Sequence, residues 1–230
     1  MYKQLKWTLP LLTLIILAPF SPWIDPYISN LFYSESLGGF STAFYHKWIY
    51  HYAVIPALLA GTTSAILFLA SFFIQKLEKM RFPSFFLAMS MAIGAGLITH
   101  LLFKEFWFRP RPCQTLLFGG VQPFLPFYLG KITFPNLCKS FPSGHATMGF
   151  YFINFILLGK RLKNPLLIRL GISLTFIMSL LLCYSRIAQG AHFISDTFMS
   201  LVVTWYAALV TEKLTFDYLA KKEWTQLNLR

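Results

Sequence analysis

Long apolar runs separated by short basic blocks organise this chain of 230 residues. A helix crossing the hydrocarbon of a bilayer needs about 20 mostly apolar residues. Six runs approach that length: Trp7–Ile24, Tyr50–Gln75, Pro83–Phe103, His145–Gly159, Pro165–Tyr184 and His192–Thr211. The fourth is short by apolar count, so it must begin a little earlier or flank a thin region. The pattern predicts an all-α polytopic membrane protein, a bundle of six transmembrane helices. No internal repeat, low-complexity tract or linker interrupts it, so residues 1–230 are expected to form a single membrane-embedded domain. The first run follows Lys3 and Lys6 as a signal peptide would. Pro19, Phe20 and Trp23 stand where a cleavage site wants small residues, which favours an uncleaved first helix.

Composition supports the bilayer as solvent. Only 12% of residues are charged and 56% are hydrophobic, whereas soluble domains carry about 25% charged residues. The net charge of +12 would suggest nucleic acid in a soluble protein. Here the basic residues sit in blocks between apolar runs, without a basic stripe or zinc spacing, so they read as topology signals and headgroup contacts. Of the 20 Lys and Arg, 13 fall on one side: Lys3, Lys6, Lys76, Lys79, Arg81, Lys160, Arg161, Lys163, Arg169, Lys213, Lys221, Lys222 and Arg230. The positive-inside rule then places both termini in the cytoplasm and the segments 25–49, 104–144 and 185–191 outside. Asp25–Ile49 is too polar to span, and its aromatic residues fit a piece lying in the outer headgroup layer, an ordinary aromatic belt.

The chemistry-bearing residues gather in those outer segments. Lys104 is followed, after six residues, by Arg111-Pro112. Pro142-Ser143-Gly144-His145 stands at the start of the fourth run. Ser185-Arg186 precedes His192 and Asp196 at the junction of the last two runs. In shorthand this is K-x6-RP, PSGH and SR-x5-H-x3-D, with every fixed position filled. The pattern resembles the type 2 phosphatidic acid phosphatase (PAP2) superfamily, which also contains bacterial acid phosphatases and vanadium haloperoxidases. The motifs cover 104–196, and the helix layout extends the likeness over nearly the whole chain.

Elementary chemistry reaches the same residues. His192 and Asp196 are four apart, a spacing that lets a carboxylate accept the imidazole Nδ1–H and leave Nε2 free as a nucleophile. Pro142-Ser143-Gly144-His145 reads as a helix start, with Pro at the first helical position and unsatisfied N–H groups offering a phosphate seat. His145 then stands where it can protonate a departing alkoxide. Lys104, Arg111 and Arg186 supply cations for the equatorial oxygens of an in-line transition state. No cluster of Asp and Glu exists to hold magnesium, so no metal and no cofactor is expected.

The resemblance implies a membrane lipid phosphatase of a bacterial inner membrane, acting at the periplasmic face on a lipid phosphomonoester or pyrophosphate. It further implies a phosphohistidine on His192, with Ser143 and Gly144 in the phosphate cradle. The segment containing Asp25, Ile28-Ser29 and Phe32-Tyr33, with the cysteine-bearing loop, is similar to bacterial lipid A phosphatases. Phosphatidylglycerophosphate and undecaprenyl-pyrophosphate phosphatases share these features loosely. A lipid-to-lipid phosphotransferase or a silent lipid transporter are the alternatives.

Plainer readings apply elsewhere. Arg109 falls outside the motif positions and reads as a juxtamembrane basic residue. His46, His51 and His100 match no motif and read as interfacial or packing residues. Cys113 and Cys138 flank the outer loop; a disulfide between them would staple it in an oxidising compartment, and two free thiols are the alternative. Cys183 lies on a spanning run and reads as packing.

Overall fold

In the computed structural model, residues 2–130 and 138–221 are described. Lys131, Lys222 and Arg230, which enter the charge asymmetry above, lie outside the described residues. The protein is mostly helical: α1 (Tyr2–Leu17), α2 (Ser21–Asn30), α3 (Phe44–Tyr52), α4 (Ile55–Ala70), α5 (Arg81–Met91), α6 (Lys104–Phe106), α7 (Gly144–Phe150), α8 (Ile153–Arg161), α9 (Pro165–Ala188) and α10 (Ile194–Glu212). Residues Ala92–Phe103 join α5 to α6 in π-helical turns. A short antiparallel hairpin, β1 (Tyr33–Ser34) with β2 (Gly39–Phe40), separates α2 from α3.

Five helical stretches are long and apolar enough to cross a bilayer: Leu5–Asn30, Phe44–Ala70, Gln75–Phe106, Pro165–Ala188 and Ile194–Leu219. The chain is thus an all-α, multi-pass membrane protein. The expected fourth span differs. It is two short helices, α7 and α8, broken at Tyr151–Phe152 and packed against α9 and α10. Its polar and small residues explain the break, because Ser143, Thr147, Gly149 and Asn154 all face protein. At the break, the Asn154 side-chain amide donates to the Tyr151 carbonyl (2.7 Å) and its oxygen accepts from Ser90 (2.6 Å). Backbone freed inside a bundle must be satisfied in this way.

The segment 25–49 is not one surface piece either. Helix continues to Asn30 and resumes at Phe44. Ser21, Asp25 and Ser29 recur every four residues and are buried together, so the polarity that disqualified the segment as a span points inwards.

Burial is otherwise inverted relative to a soluble protein. Leu59, Ile66, Phe73, Phe176 and Leu180 are exposed, while Ser64, Ser84, Thr99, Ser200, Thr204 and Thr211 are buried. Since lipid is as apolar as leucine, close backbone approach and buried hydrogen bonds hold such helices together. Glycine supplies the approach. A Cβ on Gly149 would lie 2.7 Å from the Ser179 Cα, and one on Gly171 would lie 2.7 Å from the Ile156 backbone nitrogen. These contacts bring the broken pair α7–α8 against α9.

Gly149→Ala is therefore expected to destabilise the bundle by about 1–3 kcal/mol through overpacking. Gly96→Ala is the control, because nothing lies within 4 Å of a Cβ there. Thermal unfolding in detergent measures both; equal midpoints would contradict the packing role of Gly149.

Candidate active site

The site is assembled at the ends of α6, α7, α9 and α10 (with α3 closing one side). Gly190 turns the chain between α9 and α10. Its φ is +61°, and a Cβ there would lie 2.3 Å from the Phe40 ring, so only glycine fits under the hairpin. The turn leaves His192 just ahead of the α10 cap, not on the helix as the four-residue spacing suggests. Asp196 is the third residue of α10 and accepts from the Phe193 N–H at 2.8 Å, capping the helix. The same Oδ2 accepts from Ser140 Oγ at 2.5 Å and stands 3.7 Å from His192 Nδ1. His192 is 2% exposed and Asp196 0%. Because Nδ1 faces the carboxylate, Nε2 is the ring nitrogen left for a reacting atom.

The PSGH stretch is pinned to this helix end. Ser143 donates its N–H to the Asp196 carbonyl (3.3 Å), and Ser200 Oγ donates to the Ser143 carbonyl (2.8 Å). Ser143 Oγ accepts from the Ala146 N–H at 3.3 Å, which makes Ser143 the cap of α7. Pro142, joined to Phe141 by a cis peptide bond, lies one residue before the cap and not at the first helical position expected for it, which Gly144 takes. Gly144 keeps the space beside His145 open: a Cβ there would meet His100 Nε2 at 2.9 Å and Lys104 Nζ at 3.5 Å.

Lys104, Arg111, Arg186, His145 and His192 are electrostatic neighbours. His145 feels Arg186, His192 and Lys104; His192 feels Arg186 and Arg111. Neither histidine lies inside the five long spans. Burial, followed by the repulsion of Arg186, pushes His145 down to about 3. Burial likewise pushes His192 down to about 4, although Asp196 works in the opposite direction. Both imidazoles are thus held in the neutral form at pH 7. Arg186 Nε and His192 Nδ1 are buried without a hydrogen-bond partner. Mutually repelling cations beside unpartnered polar atoms suit an anion that accepts from several directions. Among the described residues no group of three or more His, Cys, Asp or Glu is arranged so that it could hold a metal ion.

Sequence reasoning missed three contributors. Tyr50, on α3, stacks on His145 with centroids 4.3 Å apart, and Arg186 lies 4.6 Å over the same ring. The ring separates an imidazole from a guanidinium and holds both. His100, expected to be a packing residue, instead faces the Gly144–Lys104 gap. Arg109 is the largest correction. Expected as a juxtamembrane basic residue, it is wholly buried and donates to both Asp25 and Asp196. Its partner in sequence space lies 84 residues away, so no local spacing signals it. His46 is buried, as packing requires. Cys113 and Cys138 stand as free thiols, the first exposed and the second buried.

This geometry meets independent likeness. Residues 83–219 match the PAP2 superfamily, and the chain belongs to that family. It is similar to lipid A 4'-phosphatase of Francisella tularensis subsp. novicida (strain U112), with 30% identity over 88% of this chain and 90% of the relative. Lipid A 4'-phosphatase of Rhizobium leguminosarum is 33% identical over 53% of this chain and 48% of that relative. No solved structure matches. The protein is a phosphatase of the PAP2 family.

If the Tyr50 ring holds His145 and Arg186, Tyr50→Leu should lower kcat for phosphate release about tenfold, the scale of a desolvated cation–π contact. Tyr50→Phe keeps the ring and should retain most activity. Equal turnover in Tyr50→Leu and wild type would remove the role.

Proposed function

We propose that the protein hydrolyses a lipid phosphomonoester at the outer face of a bacterial inner membrane through a phosphohistidine, without a metal. The observation that carries this reading is the His192–Asp196 pair facing His145 within a ring of Lys104, Arg111 and Arg186. In the first step Nε2 of His192 attacks phosphorus as the P–O bond to the lipid breaks, and His145 protonates the leaving alkoxide. In the second, water gives its proton to His145 and displaces the phosphoryl group from His192. Lys104, Arg111 and Arg186 stabilise the equatorial oxygens throughout. Ser143 and Gly144 keep the cradle open beside them.

The favoured substrate is a lipid A 4'-phosphate, supported by identity that extends over 88% of this chain. The remaining topology follows the notion of one domain spanning residues 1–230, with α7–α8 completing a sixth crossing, His145 at its outer mouth and both termini cytoplasmic. The basic asymmetry supports that direction, with 13 of 20 Lys and Arg on the inner side. Phosphatidylglycerophosphate and undecaprenyl pyrophosphate are the alternative substrates.

A panel assay of phosphate release from lipid A, phosphatidylglycerophosphate, phosphatidate and undecaprenyl pyrophosphate tests the substrate; lipid A should be cleaved fastest. His192→Ala and His145→Ala should each lower release by at least about 1000-fold, since each performs a chemical step. EDTA should leave the rate unchanged, and loss on chelation restored by magnesium would refute the metal-free route.

His192 must be neutral to attack, so kcat/KM should fall as pH drops through about 4. The proton that His145 hands on arrives with the substrate, whose phosphate has a second pKa near ~6, so kcat/KM should also fall above that region. A kcat/KM that stays level from about pH 6 up to alkaline pH would contradict the proton inventory.

A further inference from the structure

A buried charge cluster stands behind the catalytic carboxylate, and no motif position accounts for it. Arg109 uses each of its nitrogens. Nε donates to the Leu125 carbonyl (2.9 Å), Nη1 donates to Asp196 Oδ1 (2.5 Å) and Ser195 Oγ (2.8 Å), and Nη2 donates to Asp25 Oδ2 (2.7 Å). The guanidinium also lies 4.4 Å over the Phe193 ring. Asp25 accepts further from the Ser195 N–H (3.0 Å) and Ser195 Oγ (2.6 Å). Arg109, Asp25 and Asp196 are all 0% exposed.

The charges do not cancel. With both carboxylates ionised, the form their accepted hydrogen bonds suit, one guanidinium serves two anions and leaves one net negative charge among buried groups. A purely structural clamp needs one carboxylate, and an excess buried anion is costly unless something answers it. His192, at Asp196 Oδ2 where Arg109 holds Oδ1, answers it when the imidazole becomes cationic. With Arg109 alone, Asp196 would be neutralised and would do little for a cation on the imidazole. With Asp25 added, the guanidinium is balanced and the negative charge again faces His192.

We infer that Asp25 and Arg109 are positioning residues for the His192–Asp196 pair: Arg109 holds Asp196 by Oδ1 so that Oδ2 faces the imidazole, and Asp25 offsets the guanidinium so that the cluster remains anionic when His192 becomes cationic. This rests on the reading of His192 as nucleophile. It also gives α2 a task, since Asp25 joins the N-terminal span to the helix that carries Asp196. Other charged groups facing His192 are Arg186 from α9, Arg111 from the outer loop and His145 from α7, with Lys104 beyond Asp196. At the acidic pH where His192 titrates, the Lys and Arg among them stay protonated and set a constant background against which changes at positions 25 and 109 are read.

The test is the titration of His192 in full-length protein purified in detergent, followed by NMR of 13C-labelled histidine, its resonance assigned by loss in His192→Asn. Arg109→Gln unbalances two carboxylates and should raise the His192 pKa by about one unit, the scale of a nearby unpaired charge. Asp25→Asn removes a negative charge and should lower it. The double variant restores the net charge and should titrate between the two single variants, while its kcat stays at least tenfold down because Asp196 has lost its anchor. The acid limb of kcat/KM should move in the same directions. A structural role alone would give no opposite shifts. If Arg109→Gln does not fold, the double variant must titrate above Asp25→Asn. Unchanged titration in folded variants, or shifts of the same sign, overturns the inference. An active His192→Asn enzyme would instead remove the nucleophile reading, with the titration still readable.

Discussion

Asp196 accepts hydrogen bonds from Arg109, Ser140 and the backbone of Phe193, and its remaining face is turned to His192. Each of those donors comes from a different part of the chain. Arg109 and Ser140 bracket the outer loop and are tied together where the Ser140 N–H donates to the Arg109 carbonyl. Phe193 begins α10. The carboxylate is thus cap, anchor and imidazole partner at once. Removing one partner from a buried charged network of this kind costs about 3–5 kcal/mol, a large part of the stability of an ordinary domain. Geometry at the imidazole and integrity of the outer loop are coupled through this single residue.

Around it the bundle solves two solvation problems with one arrangement. Lipid-facing surfaces are leucine, isoleucine and phenylalanine, and the interior carries serine, threonine and asparagine that bond to backbone. At one end of the bundle the cations converge on a gap kept open by Gly144 and walled by Tyr50. At the other end Arg161 pairs with Glu212 and Asp217, closing α8 onto α10 and its continuation.

Much of this could be read before any coordinates. Apolar length revealed five of the spans because a bilayer imposes a fixed thickness on every helix. The motif spacings brought Lys104, Arg111, Ser143, Gly144, His145, Arg186, His192 and Asp196 to notice because phosphate chemistry restricts residue types so strongly. The broken α7–α8 pair was less legible, since Asn154 and Gly149 reveal their role only against Ser90 and Ser179 on other helices. Tyr50 was invisible among many aromatic residues; nothing local says which ring meets His145. Arg109 was misread for the same reason. A basic residue beside a span looks interfacial until a carboxylate far away in sequence is found beside it.

The central claim is that phosphorus passes through His192. Its most direct test is rapid-quench trapping with a 32P-labelled lipid phosphate, followed by peptide mapping of the labelled protein. The expected result is an acid-labile, base-stable phosphoryl group on the peptide containing His192, absent in His192→Ala. Turnover that proceeds with no label on that peptide at any quench time, or label on a carboxylate, would contradict it.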